Sequence, residues 1–279
     1  MIEEKFATVS DTLSLVDCSG RVVRLLNACR EPAQEVNIDL SDVGFAESSF
    51  VVILAGAIRY MSQLGAKGKL IWPADPKVKQ YLVNIGFAKK LVHGGDDMRR
   101  RPMSDHVPLE EFPGLDEGIV QNVCGCFARH LHGVPDLYNR LENTLAELME
   151  NVRLHSESPV GGLLSAQFLP NKRTIRFAIC DFGVSIPGHL SRLPKYSVGM
   201  PDDDLVAKAF EAGVSGAQSE IRSGSGLPFV RDFTMGIGGQ VRVYSRLAAL
   251  TIGVHGVSSV PVPNPFPGTL FTIDWPSTS

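Results

Sequence analysis

Residues 145–156 read LAELMENVRLHS, and their spacing decides how the second half of the chain is read. Leu141, Leu145, Leu148 and Val152 recur every three or four residues, the stripe of a helix that buries one side. Thr144, Glu147, Asn151 and His155 run beside that stripe at the same spacing, so they share a second face. Taken alone, a polar stripe is a solvated face. The residues downstream give it another reading.

TIRFAICD (174–181) has the pattern of a buried strand, and it runs into DFGVSIP (181–187). SGSGLPFV (223–230) is a glycine-rich turn leading into a helix. A helix N-terminus preceded by glycines can seat a phosphate, because its free N–H groups point outward and the backbone can approach closely. An Asp at the end of a buried strand can accept a hydrogen bond from a ligand amino group. A Glu and an Asn four apart on one helix can orient a water and hold Mg²⁺. The commoner nucleotide motifs do not fit. There is no G-x-x-x-x-G-K-[ST], GSGLPF lacks the third glycine of the dinucleotide fingerprint, and DFG has no H-R-D loop or V-A-I-K strand to accompany it.

Outward from this constellation, a helical region over 116–156 is broken near HGVPD (132–136) by Gly133 and Pro135. GLLSAQFL (162–169) reads as a strand joined by PNKR to the next. DDLVAKAFEAG (203–213) and GLPFVRDFTMGIGG (226–239) read as helices, and QVRVYSR, ALTIGVH and TLFTIDW as strands. In the first half, EVNIDLS (35–41) is a strand pattern and SSFVVILAGAIRYMSQLG (48–65) a helix ended by Gly65. KLIWPA (69–74) is a second strand, and PKVKQYLVNIGFAKKL (76–91) a helix opened by Pro. Residues 95–115, charged and rich in Gly and Pro, read as a linker between a domain at 1–94 and another at 116–279.

The composition is that of an ordinary globular chain: 279 residues, 44% hydrophobic, 20% charged, net charge −3. No basic field points to nucleic acid. No apolar run approaches the roughly 18 residues of a membrane span, and MIEEKFATVS lacks a signal-peptide pattern. The expectation is a soluble cytoplasmic protein with no nucleic-acid or membrane partner. The five cysteines are irregularly spaced, so no disulfide framework is expected. In CGCFARHLH (124–132) only Cys126 and His130 share a helix face, which favours packing over a zinc site.

The ordered set resembles the GHKL ATPases (gyrase, heat-shock chaperone, histidine kinase and MutL types), and among them the anti-sigma-factor serine kinases. Their helix motif has Glu and Asn four apart, as Glu147 and Asn151 are. Their D-x-G-x-G-I reads DFGVSI here, with Ser185 for the second glycine. Their G-x-G-x-G-L reads RSGSGL, with Arg222 for the first. GIGGQVRVYS and PGTLFTIDWP resemble the family's closing strands, so the resemblance spans about 120–276. It implies a Bergerat-type α/β sandwich, a mixed sheet packed on helices, that binds ATP and Mg²⁺. Asp181 would bind the adenine amino group. Asn151 would hold Mg²⁺ against the phosphates, and Glu147 would be the catalytic base. Gly183, Ser185, Ile186, Gly224, Ser225, Gly226, Leu227 and Thr272 would line the nucleotide, and 187–222 would form a lid.

Residues 36–87 resemble STAS domains in their strand–helix–strand–helix order. Where that family has D-S-S-G, this chain has Glu47, Ser48, Ser49 and Phe50. Ser48 is the possible phosphoacceptor this implies, and a helix cap is its bland role. The combined expectation is an ATP-binding signalling protein with Mg²⁺-dependent ATPase or protein serine kinase activity, regulated through its STAS-like half. It would act on a protein partner or phosphoacceptor, and a homodimer is a further form this reading allows. The alternative is a non-catalytic ATP-dependent switch; a zinc site is the third and weakest reading.

Overall fold

The computed structural model describes residues 2–9, 11–29, 35–87, 105–196, 199–211, 213–214 and 226–278. The architecture is mixed α/β and contains two sheets. The first is parallel, in the order β1 (Ile2–Ala7), β2 (Glu35–Asp42), β3 (Lys67–Ile71). Helices α1 (Thr12–Ala28), α2 (Ser48–Gln63) and α3 (Pro76–Asn84) connect or follow these strands. Asp11 caps α1 in a reciprocal box with Ser14, and Asp75 caps α3 ahead of Pro76.

The second sheet has seven strands, in the order β4 (His106–Phe112), β5 (Gly162–Leu169), β6 (Thr174–Asp181), β10 (Phe266–Pro276), β7 (Gln240–Arg246), β8 (Ala248–Gly253), β9 (Gly256–Ser259). Every pairing in it is antiparallel, so the expected mixed sheet is corrected. The stretch expected to be linker, 95–115, lies outside the described residues up to 104. Within it His106–Phe112 forms the edge strand β4. Further elements lie outside the sequence reading, among them β1, α1, the short helix Ile186–Leu190 and the edge strand β9.

Strand alternation splits the seven-stranded sheet between two cores. On β6, Ile175, Phe177 and Ile179 face α4 (Glu117–Phe127), α5 (Leu137–Asn151) and α8 (Gly226–Gly236), while Ala178 and Cys180 face α1 and α2. On β10, Phe271, Ile273 and Trp275 go with the first set and Leu270 with the second. The two halves of the chain therefore share a core. Helix α2 lies between the two sheets, and every residue of SSFVVILAGA (48–57) in it is buried.

A charged cluster sits in that shared core. Arg176 donates to both carboxylate oxygens of Asp274 (2.6 and 2.7 Å) and also pairs with Glu47, the residue before α2. Arg242 and Gln240 donate to the same Asp274 oxygen at 2.9 and 3.0 Å. Among the described residues no helix is long and apolar enough to cross a membrane.

Candidate functional site

Helix α5 ends at Asn151 and passes into a π-helical turn, Val152–Ser156. Such widened turns recur at functional sites because they re-aim the side chains they carry. Asn151 and His155 both line a cleft of about 800 Å³ counted to its open mouth. The floor is Asp181 at the end of β6. The walls include Ser185, Ile186, His189, Leu227 and Phe271.

Asp181 is buried, and burial pushes its carboxyl up from 3.8 to about 7, against the N–H groups of Gly183 and Thr269 that favour the ionised form. The Gly183 N–H donates to Asp181 Oδ1 at 2.9 Å. Two glycines make this seat possible. A Cβ on Gly183 would stand 2.7 Å from the Ser156 carbonyl carbon, and one on Gly268 (φ +109°) would stand 2.8 Å from Asp181 Oδ1.

Three buried polar atoms around the cleft lack partners among the described residues: Asn151 Nδ2, His155 Nδ1 and His189 Nε2. The rings of His155 and His189 are 4.5 Å apart. Burial lowers the pKa of both. The neighbouring imidazole adds to this at His155 and Arg192 adds to it at His189, while Glu157 opposes it there. Unsatisfied buried polar atoms are costly, so water or a ligand with matching donors and acceptors would be stabilised here.

The polar stripe read on α5 divides. Asn151 and His155 reach the cleft. Glu147 abuts the start of α8, with Oε2 3.2 Å from where a Cβ on Gly226 would lie. Thr144 is fully buried and donates to the Arg140 carbonyl at 2.8 Å, an internal helix contact away from the cleft.

Of the second motif, Ser185 caps the short helix α6 (Ile186–Leu190) by accepting from Gly188 N–H at 3.0 Å, and the Ile186 N–H donates to Ser245 Oγ at 3.0 Å. Of the third, Gly226 and Leu227 line the cleft, whereas Arg222, Gly224 and Ser225 lie outside the described residues. The segment read as a lid, 187–222, is described in part. It contains α6 and α7 (Asp202–Ala209), and Ala209, Glu211 and Val214 line the cleft.

Thr272 is placed differently from the sequence reading. It is an even-numbered residue of β10, in phase with Leu270 and Asp274, so it faces α1 and α2 and is buried there. Thr269 and Phe271 take the cleft positions instead. The period-two pattern back from Ile273 and Trp275 carries that signal. Ser48 is fully buried at the start of α2, and its hydroxyl donates to Gln167 Oε1 at 3.3 Å. In the cysteine–histidine segment Cys124 is buried, and His130 stacks on Phe168 with ring centroids 4.0 Å apart while its Nε2 lies 3.1 Å from Asp105 Oδ1.

Comparison with known proteins finds no matching family model and no matching curated protein.

Proposed function

We propose that the cleft binds ATP and that the protein is an ATP-binding signalling protein with Mg²⁺-dependent ATPase or protein serine kinase activity, of the GHKL type that its motifs resemble, with a STAS-like N-terminal half. The observation that carries this reading is Asp181. It is a buried carboxylate on the floor of a cleft, seated by two glycines that tolerate no side chain, and it faces unpartnered polar atoms from α5 and α6. A ligand amino group donating to Asp181 would offset the burial of its charge.

The donor set suits the implied groups. Asn151 offers a hard amide oxygen of the kind Mg²⁺ takes, and its Nδ2 has no partner among the described residues. Gly226 opens α8, and the first N–H groups of a helix have no acceptor within it, which suits an anion. Mg²⁺ bound there would neutralise phosphate charge. Glu147, held against the start of α8, is the residue to orient and deprotonate the attacking water or hydroxyl.

Ser48 as a target within the same chain requires the interface around α2 to open, because its hydroxyl has no access to solvent. The phosphoacceptor in this reading is therefore a second protein. The reading of an ATP-dependent switch without turnover draws support from the shared core, since α2 packs directly behind the Asp181 turn.

The deciding experiment follows ATP consumption and label transfer from γ-labelled ATP with Mg²⁺, in wild type and Glu147→Ala. Turnover lost in Glu147→Ala with ATP binding kept supports an enzyme. Tight ATP binding with no turnover in wild type supports the switch instead.

A further inference from the structure

Asp181 and Phe182 are consecutive, and strand alternation sends them opposite ways: the carboxylate into the cleft, the ring into the core beneath α2. Phe182 is 2% exposed, and a Cβ placed on Gly56 of α2 would stand 2.8 Å from its Cδ2. Tyr60, one helical turn on, has its ring centroid 6.2 Å from that of Phe182. The backbone is held from the same side. The Phe182 N–H donates to Ser158 Oγ at 3.2 Å, and Gln63 at the end of α2 donates to the carbonyl of the adjoining Pro159 at 2.9 Å.

Helix α2 thus runs along β6 in the same direction and touches it at two stations. Glu47 meets Arg176 near the start of the strand, and Gly56 meets Phe182 just past its end. The helix path between these stations is about 14 Å and the strand path about 20 Å, a difference that the long Arg and Phe side chains span. The strand that presents Asp181 is therefore mounted on a helix of the other half of the chain.

We infer that Phe182 is a positioning residue for Asp181, and that α2 sets where Phe182 sits, so the N-terminal half tunes the affinity of the cleft. A shift of the Phe182 ring moves the peptide between Asp181 and Phe182, and with it the Gly183 N–H that holds the carboxylate. The functional content of this inference rests on the nucleotide reading above; its structural content does not.

The test uses the full chain in four forms: wild type, Phe182→Leu, Tyr60→Leu and the double variant. Two quantities are read, ADP affinity by calorimetric titration and amide exchange over Gly183–Ile186 without nucleotide, with thermal melting to show that each form is folded. Both single variants are expected to exchange faster over Gly183–Ile186 and to bind ADP about three- to thirty-fold more weakly. The double variant is expected to lose less than the product of the two, because they act through one contact. Folded single variants with wild-type exchange and wild-type ADP affinity would overturn the inference while leaving the nucleotide reading intact. A wild type that binds no ADP sinks the nucleotide reading, and the exchange data then decide the positioning role by themselves: unchanged exchange refutes it, faster exchange upholds it.

Discussion

Arg176 grips Asp274 with both arms of its guanidinium, at 2.6 and 2.7 Å, in a core that almost completely excludes water. The same guanidinium reaches Glu47, so one cation joins strand β10 to the start of α2. Removing one partner of such a cluster leaves uncompensated buried charge, which costs far more than the pair contributes. Arg176→Met is expected to lower unfolding free energy by roughly 3–5 kcal/mol, read by urea denaturation. Burial pushes the Asp274 carboxyl up, but Arg176 and Arg242 outweigh it and hold the group below 3.8. Its contribution is therefore full above that value and is lost as pH falls through the lower folded one.

Asp181 has the opposite sign. Its folded value of about 7 lies above the ordinary 3.8, so the folded state holds the proton more tightly. Stability from this group falls as pH rises from about 4 to about 7, and at neutral pH the ionised carboxylate costs on the order of 4 kcal/mol. Asp181→Asn is expected to melt at or above the wild-type temperature at pH 8 and to lose that advantage near pH 4. His155 and His189 oppose this trend, since their lowered values make stability fall as pH drops below 6.5. The comparison of wild type with Asp181→Asn cancels their contribution.

The two glycines at the Asp181 seat separate fold from function. Gly183→Ala would drive a methyl into the backbone of Ser156, and Gly268→Ala into that of Asp181 at a φ of +109°. Each is expected to cost at least about 3 kcal/mol. At Gly226 the nearest atom is the end of the Glu147 side chain, which can turn away. Gly226→Ala is expected to keep stability within about 1 kcal/mol while weakening ATP binding, as melting and titration of the same sample will show.

Ser48 gives a third kind of test. Its hydroxyl is fully buried and hydrogen-bonded to Gln167. Treatment of the folded chain with a promiscuous serine kinase is expected to leave Ser48 unmodified by mass spectrometry. The Arg176→Met variant, which loosens the α2 interface, is expected to gain the modification.

The sequence displayed the cleft better than the interface. Asn151, Asp181 and Gly226, which line the cleft, belong to three short motifs, and helical spacing on α5 and a strand end set the directions of the first two side chains, whereas Glu147 on the same stripe lies against the start of α8. Thr272 went astray because its motif was matched by residue type, while the alternation running back from Trp275 and Ile273 points to Thr269 and Phe271. Three strands carry little signal: β1 is charged at three of its six positions, β4 lies in a stretch crowded with charge and proline, and β9 is four exposed residues long. The docking of the two halves did have a signal. SSFVVILAGA is apolar on every side, and a helix apolar all round must be covered all round. A single three-stranded sheet leaves half of it bare. The partners of Glu47 and Phe182 were beyond reach, because pairing across more than a hundred residues depends on tertiary packing rather than on local pattern.

The most direct test of the central claim is a calorimetric titration of the full chain with ATP and Mg²⁺, wild type against Asp181→Asn. The account expects saturable binding by wild type and its loss in a variant that melts no lower. Absence of ATP binding by wild type, or equal affinity in folded Asp181→Asn, would contradict it.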